Sequence, residues 1–131
     1  MTQTNIDIMD RIVDILATGC KFSEALSKVY NRRHVMIPYS VSVFDIEIQK
    51  LKLDVRIVNA LRRAGLHTLN AVIEYGDLHK FTEIKGVGQN AAFTLFEAIL
   101  DFCWENMTNK ERTHFLIETV ERNECNICIR N

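Results

Sequence analysis

The sequence predicts an all-α protein, a compact helical bundle of six to seven short helices with one short extended segment near residues 35–46. Three observations carry that prediction. The 131 residues include one proline and five glycines, few breakers for a chain of this length. Apolar residues recur at three- and four-residue intervals through most of the chain, the spacing that gives a helix one buried face. Hydrophobic residues make up 47% of the whole, enough for a sizeable core, so disorder is expected only at the ends.

The elements follow in order. Ile6, Met9, Ile12, Val13 and Leu16 trace one face of a helix over 5–18, stopped by Gly19. Ser23 reads as the cap of a second helix, with Leu26, Val29 and Tyr30 facing inward and an end near Asn31. Helical period is then lost. Val35, Met36, Ile37, Tyr39, Val41 and Val43 surround Pro38 and predict an extended backbone. Asp54 is placed to cap a helix through Ala64, ended by Gly65. Thr68 caps another through Tyr75, ended by Gly76. Asp77 opens a short helix carrying Leu78, Phe81 and Ile84. Ala92, Leu95, Phe96, Ile99, Phe102 and Cys103 form the stripe of a longer one. Thr108 and Glu111 have capping-box spacing for a last helix over 109–122, with Phe115, Leu116 and Val120 inward. The protein thus divides into a two-helix N-terminal extension (1–46), a central module (47–105), and a C-terminal helix and tail (106–131). No Ser/Gly linker separates them, so the extension is expected to pack on the module.

Two stretches of the module carry chemistry. In Ile84-Lys85-Gly86-Val87-Gly88-Gln89-Asn90-Ala91, two glycines free the backbone for a sharp turn and Val87 can tuck inward between them. The amides of Gly88 to Ala91 then stand unpaired at the positive end of a helix, a place for a phosphate. Some 30 residues earlier, Arg56 lies in the first turn of its helix and Asn59 shares its face. The order Ile84-x-Gly86-Val87-Gly88-x-x-Ala91-x-x-x-Leu95 resembles the helix-hairpin-helix DNA-backbone motif. More narrowly, Leu53 to Leu100 resembles the C-terminal domain of the bacterial RNA polymerase alpha subunit. Val55-Arg56-x-x-Asn59-x-Leu61-x-Arg63-Ala64-Gly65 matches that family's first helix, and Gly88 falls on its hairpin glycine. The resemblance covers about 50 of the 131 residues.

The resemblance implies a transcription-related DNA-binding protein. Arg56 would enter the minor groove of A·T-rich duplex, where a narrow groove concentrates negative potential. Asn59 would contact the backbone nearby, and the hairpin would hold the adjacent phosphates. The candidate DNA-binding set is Lys52, Arg56, Asn59, Lys85, Gly86, Val87, Gly88, Gln89 and Asn90. Double-stranded DNA is the expected partner, with RNA polymerase or a transcription regulator beside it. A length of 131 residues leaves no room for the subunit's assembly domain, so a stand-alone protein is expected. One departure matters. The family usually follows its hairpin glycine with basic residues and then serine, and here Gln89, Asn90 and Ala91 stand there. Weak DNA binding is therefore expected. The alternative is a protein–protein adapter that keeps the fold and binds a transcription factor or polymerase subunit instead.

Composition limits the other classes. The net charge is −1, and Phe44 to Glu105 holds 7 basic and 9 acidic residues, so DNA binding must rest on where charges sit. No apolar run reaches the 18 or more residues of a membrane span, and the first ten residues are polar and acidic, unlike a signal peptide. A cytoplasmic protein with reduced cysteines and no membrane partner is expected. Cys125 and Cys128 form a lone CxxC. Zinc needs two further ligands, and Cys20, Cys103 and His114 have no ligand spacing, so no metal or cofactor is expected. The four histidines are scattered without a nucleophile or acid–base pair, and no enzyme is expected. Arg62-Arg63 and Arg32-Arg33-His34 read as solvated charge at helix ends.

Overall fold

Capping side chains fix where several of the helices begin. A computed structural model describes residues 2–30, 46–76 and 78–126. Seven α-helices are found among them: α1 (Gln3–Leu16), α2 (Phe22–Val29), α3 (Val55–Arg63), α4 (Leu69–Tyr75), α5 (Leu78–Phe81), α6 (Gln89–Glu105) and α7 (Asn109–Arg122). Two 3₁₀ turns, Ile48–Leu51 and Glu124–Asn126, complete the described elements. The described residues are all-α, as their periodicity predicts. The extended segment expected near 35–46 lies outside the described residues but for Ile46, as do Arg32, Arg33, His34, Asp77 and Cys128.

By its internal contacts the protein forms two units, Met1–Pro38 with Trp104–Asn131, and Tyr39–Cys103, with the division falling inside α6. In the first unit, α1 contacts both α2 and α7. Phe22 stacks on Trp104 with ring centroids 4.2 Å apart and planes 6° from parallel. The Arg112 guanidinium lies 5.0 Å from the same indole, and its Nε donates to the Trp104 carbonyl at 2.8 Å. Two expectations change here. Helix α1 buries Asn5, Ile8 and Ile12, while Ile6 and Val13 are 40% and 50% exposed. Its inner face is thus rotated from the one the apolar periodicity picked out: it keeps Ile12, half-buries Met9 and Leu16, and leaves Ile6 and Val13 outside. Ser23 is not a cap: α2 begins one residue earlier at Phe22, and Ser23 is buried within its first turn.

In the second unit, Ile48, Leu61, Leu69, Val72, Phe81, Leu95 and Ile99 are almost wholly removed from water. Helix α6 has a broader apolar face than its stripe suggests, since Phe93 and Leu100 are buried as well. Asp54 caps α3 by accepting from the Arg56 amide at 2.8 Å, and Thr68 caps α4 by accepting from the Ala71 amide at 3.2 Å. The backbone ahead of α3 is tied to the α3–α4 link: the Leu69 amide donates to the Ile46 carbonyl at 2.8 Å, and the Ile48 amide to the His67 carbonyl at 3.2 Å. These bonds fix residues 46–48 beside the start of α4. Burial pushes the Cys103 thiol up to about 11, which keeps it protonated and unreactive at neutral pH.

Helix α7 carries the full capping box. Thr108 Oγ1 accepts from the Glu111 amide at 3.2 Å, and Glu111 Oε1 accepts from the Thr108 amide at 2.9 Å. The bond from the Thr108 backbone holds the Glu111 carboxyl below its ordinary value of 4.5. A depressed carboxyl stabilises the fold above its unfolded value and loses that contribution as pH falls through the folded one. Thr108→Ala is expected to cost about 0.5–2 kcal/mol in urea unfolding at pH 7. Glu111→Gln should be less stable than wild type at pH 7, and the gap should close as pH is lowered below 4.5. A gap that stays constant with pH would mean the carboxylate does not support the cap.

Candidate nucleic-acid interface

The turn between α5 and α6 is built from inside outward. Val87 is 4% exposed, tucked into the core as the sequence predicts, and its amide donates to the Ile84 carbonyl at 2.9 Å. Burying Val87 throws Gly86 and Gly88 to the outside, where both are exposed. Gly86 takes φ +90°, a left-handed conformation that a side chain resists. Gly88 does not, contrary to the expectation that both glycines serve the bend. A Cβ at Gly88 would meet nothing within 4 Å. The space in front of it is open, so a ligand can reach this backbone closely.

Helix α6 starts immediately after. The Gly88 carbonyl accepts from the Ala92 amide at 2.9 Å, which closes the first helical turn. Among the described residues, no hydrogen bond is made by the amides of Gln89, Asn90 and Ala91, and no acidic residue occupies the first turn. Three donors and the positive end of a 17-residue helix therefore face outward together.

The hairpin lies against α3. A Cβ placed on Gly86 would stand 3.1 Å from Arg63 Nη2 and 3.5 Å from Ala60 Cβ. Arg63 is exposed, but it is not charge left over at a far helix end, as its place beside Gly65 suggested. Its guanidinium is seated at the turn. Arg56, Asn59 and Arg63 are all exposed and lie three and four residues apart, on one face of α3. Arg56 is about 10 Å from Arg63 along the axis, at 1.5 Å per residue. Val55, beside it, is 70% exposed, an apolar contact at the same end that sequence reading passed over. Lys52 and Lys85 are exposed, Lys52 in a left-handed conformation at the close of the 3₁₀ turn.

Charge is sorted rather than balanced. Residues 50–63 hold five basic side chains and one acidic, whereas α6 carries Glu97, Asp101 and Glu105 and no Lys or Arg. The near-zero total hides a basic α3 and an acidic second half of α6. No group of three or more His, Cys, Asp or Glu capable of holding a metal is found among the described residues. Cys20, Cys103 and Cys125 are free thiols. No described helix is long and apolar enough to cross a membrane.

Similarity to known proteins falls on this same part of the sequence. Residues 39–92 match the family model of the C-terminal domain of the bacterial RNA polymerase alpha subunit. The central segment resembles that domain. It includes α3, α4, α5, the hairpin and the start of α6. The alpha subunit of DNA-directed RNA polymerase from Onion yellows phytoplasma (strain OY-M) is 33% identical over 78 residues, 59% of this protein and 23% of that subunit. The one from Aster yellows witches'-broom phytoplasma (strain AYWB) is 31% identical over 77 residues, 58% of this protein and again 23% of the subunit. The match therefore spans less than a quarter of the length of these relatives. No solved structure matches.

The two glycines should separate in a stability measurement. Gly86→Ala forces a side chain into a left-handed conformation and against Arg63, and is expected to cost about 1–3 kcal/mol. Gly88→Ala meets open space and should cost clearly less in the same urea titration. Equal losses would mean that the left-handed turn is not what Gly86 provides.

Proposed function

We propose that this protein is a non-catalytic, transcription-related DNA-binding protein. Its segment resembling the polymerase alpha C-terminal domain contacts the minor groove and phosphate backbone of A·T-rich duplex, alongside RNA polymerase or a transcription regulator. The observation that supports the reading is the contact of the turn with α3: Gly86 lies against Ala60 and Arg63, on the helix whose exposed residues include Arg56 and Asn59, and the free amides of α6 begin three residues later, inside the residues that resemble the polymerase domain. Arg56 would read groove width by inserting its guanidinium where the potential is most negative. Asn59 would bond the sugar–phosphate backbone beside it. The amides of Gln89, Asn90 and Ala91 would hold a neighbouring phosphate as helix N-termini do. Lys52 and Lys85 would add screening-sensitive attraction around these contacts.

Two observations favour a second reading, a protein–protein adapter. Gln89 and Asn90 bring no charge to the helix start, and the net charge of the whole protein is −1. Duplex binding distinguishes the two. Fluorescence anisotropy at low salt should give measurable binding to an A·T-rich duplex, weaker binding to a G·C-rich one, and a loss on the order of tenfold for Arg56→Ala on the A·T-rich duplex. Identical curves for wild type and Arg56→Ala would remove the groove role and leave the adapter.

A further inference from the structure

The hairpin lacks a cation of its own at the helix start, yet it has one against it. Residues 88–91 are Gly, Gln, Asn and Ala, all uncharged. The Arg63 guanidinium reaches this turn from α3, with Nη2 3.1 Å from the place a Cβ on Gly86 would occupy. Gly88 is two residues on, within about 7.6 Å by the fixed spacing of consecutive Cα atoms. A Cβ built on Gly88 would have nothing within 4 Å apart from its chain neighbours. Among the described residues Arg63 has no salt bridge and no side-chain hydrogen bond, so its donors are not spent on a carboxylate. A guanidinium has five donors in a planar fork that fits two oxygens of one phosphate.

We infer that Arg63 is a phosphate-binding residue of this interface, supplying from α3 the positive charge absent from Gln89 and Asn90. The inference rests on the reading of this face as a nucleic-acid surface. Its ligand is a backbone phosphodiester, not a base edge. Arg56 and Arg63 then divide the work along one helix face: Arg56 enters the groove, and Arg63 grips the strand that borders it about 10 Å away along α3. A Cβ at Gly86 would make the guanidinium give way by only a few tenths of an ångström, so the positive φ, not the space, is what asks for glycine there. Arg62, its neighbour in sequence and also exposed, is about 100° round the helix and has no such role.

The test compares Arg63→Ala, Arg63→Lys and Arg62→Ala in the 131-residue protein, each checked by circular dichroism, in duplex binding across a salt series. Arg63→Ala should weaken binding on the order of tenfold, equally on A·T-rich and G·C-rich duplex. It should also lower the slope of log affinity against log salt by about 0.9, one phosphate contact. Arg63→Lys should recover most of that slope, because it restores the charge. Arg62→Ala removes the same charge elsewhere and should leave the slope near wild type. Equal effects of Arg62→Ala and Arg63→Ala would overturn the inference while leaving the Arg56 reading intact. Failure of the wild-type protein to bind any duplex at low salt would overturn both.

Discussion

The packing of one left-handed turn on one helix face sets the rest of the candidate site. Gly86 can lie against Ala60 and Arg63 because it has no side chain, and its positive φ turns the backbone so that Val87 points into the core. With Val87 anchored, α6 starts with its free amides outward, three residues after the glycine that lies against α3. A side chain at Gly86 would strain the turn through its positive φ, while the Arg63 guanidinium would have to yield by only a few tenths of an ångström. At Gly88 neither the backbone angle nor the surrounding space requires a glycine.

Electrostatics reinforces this local arrangement. A protein of net charge −1 is a poor candidate for sequence-independent DNA binding if charge is treated as a sum. Attraction between exposed charges fades within a Debye length of about 8–10 Å in ordinary salt, so local patches count for more than totals. Over that distance α3 and its approach are basic, while the acidic residues of α6 begin at Glu97, two turns beyond the free amides. An interface of this kind is small and depends on few cations. Its binding would be modest and would gain from a second protein on the same duplex, which agrees with a role beside a polymerase or regulator.

Local features of the fold were legible in the sequence because their causes lie within three or four residues. Asp54, Thr68 and the Thr108/Glu111 pair cap the helices they precede, and Val87 is the inward pin its flanking glycines imply. What escaped depends on partners distant in sequence. Ile6 and Val13 fit a helical stripe as well as Ile8 does, and contacts with α2 and α7, not periodicity, decide which face of α1 is buried. Arg63 read as spare charge beside a helix-ending glycine, since only folding brings residue 86 to it. The uncharged Gln89 and Asn90 were visible as a departure from the polymerase pattern, but the cation lying against the turn was not.

The most direct test of the account is a heteronuclear NMR titration of the labelled protein with an A·T-rich duplex at low salt. Shifts confined to the amides of Val55 to Arg63 and Gly86 to Ala92, with the largest at Gly88 to Ala91, are what the account predicts. Shifts centred on other residues, with these amides unmoved, would contradict it.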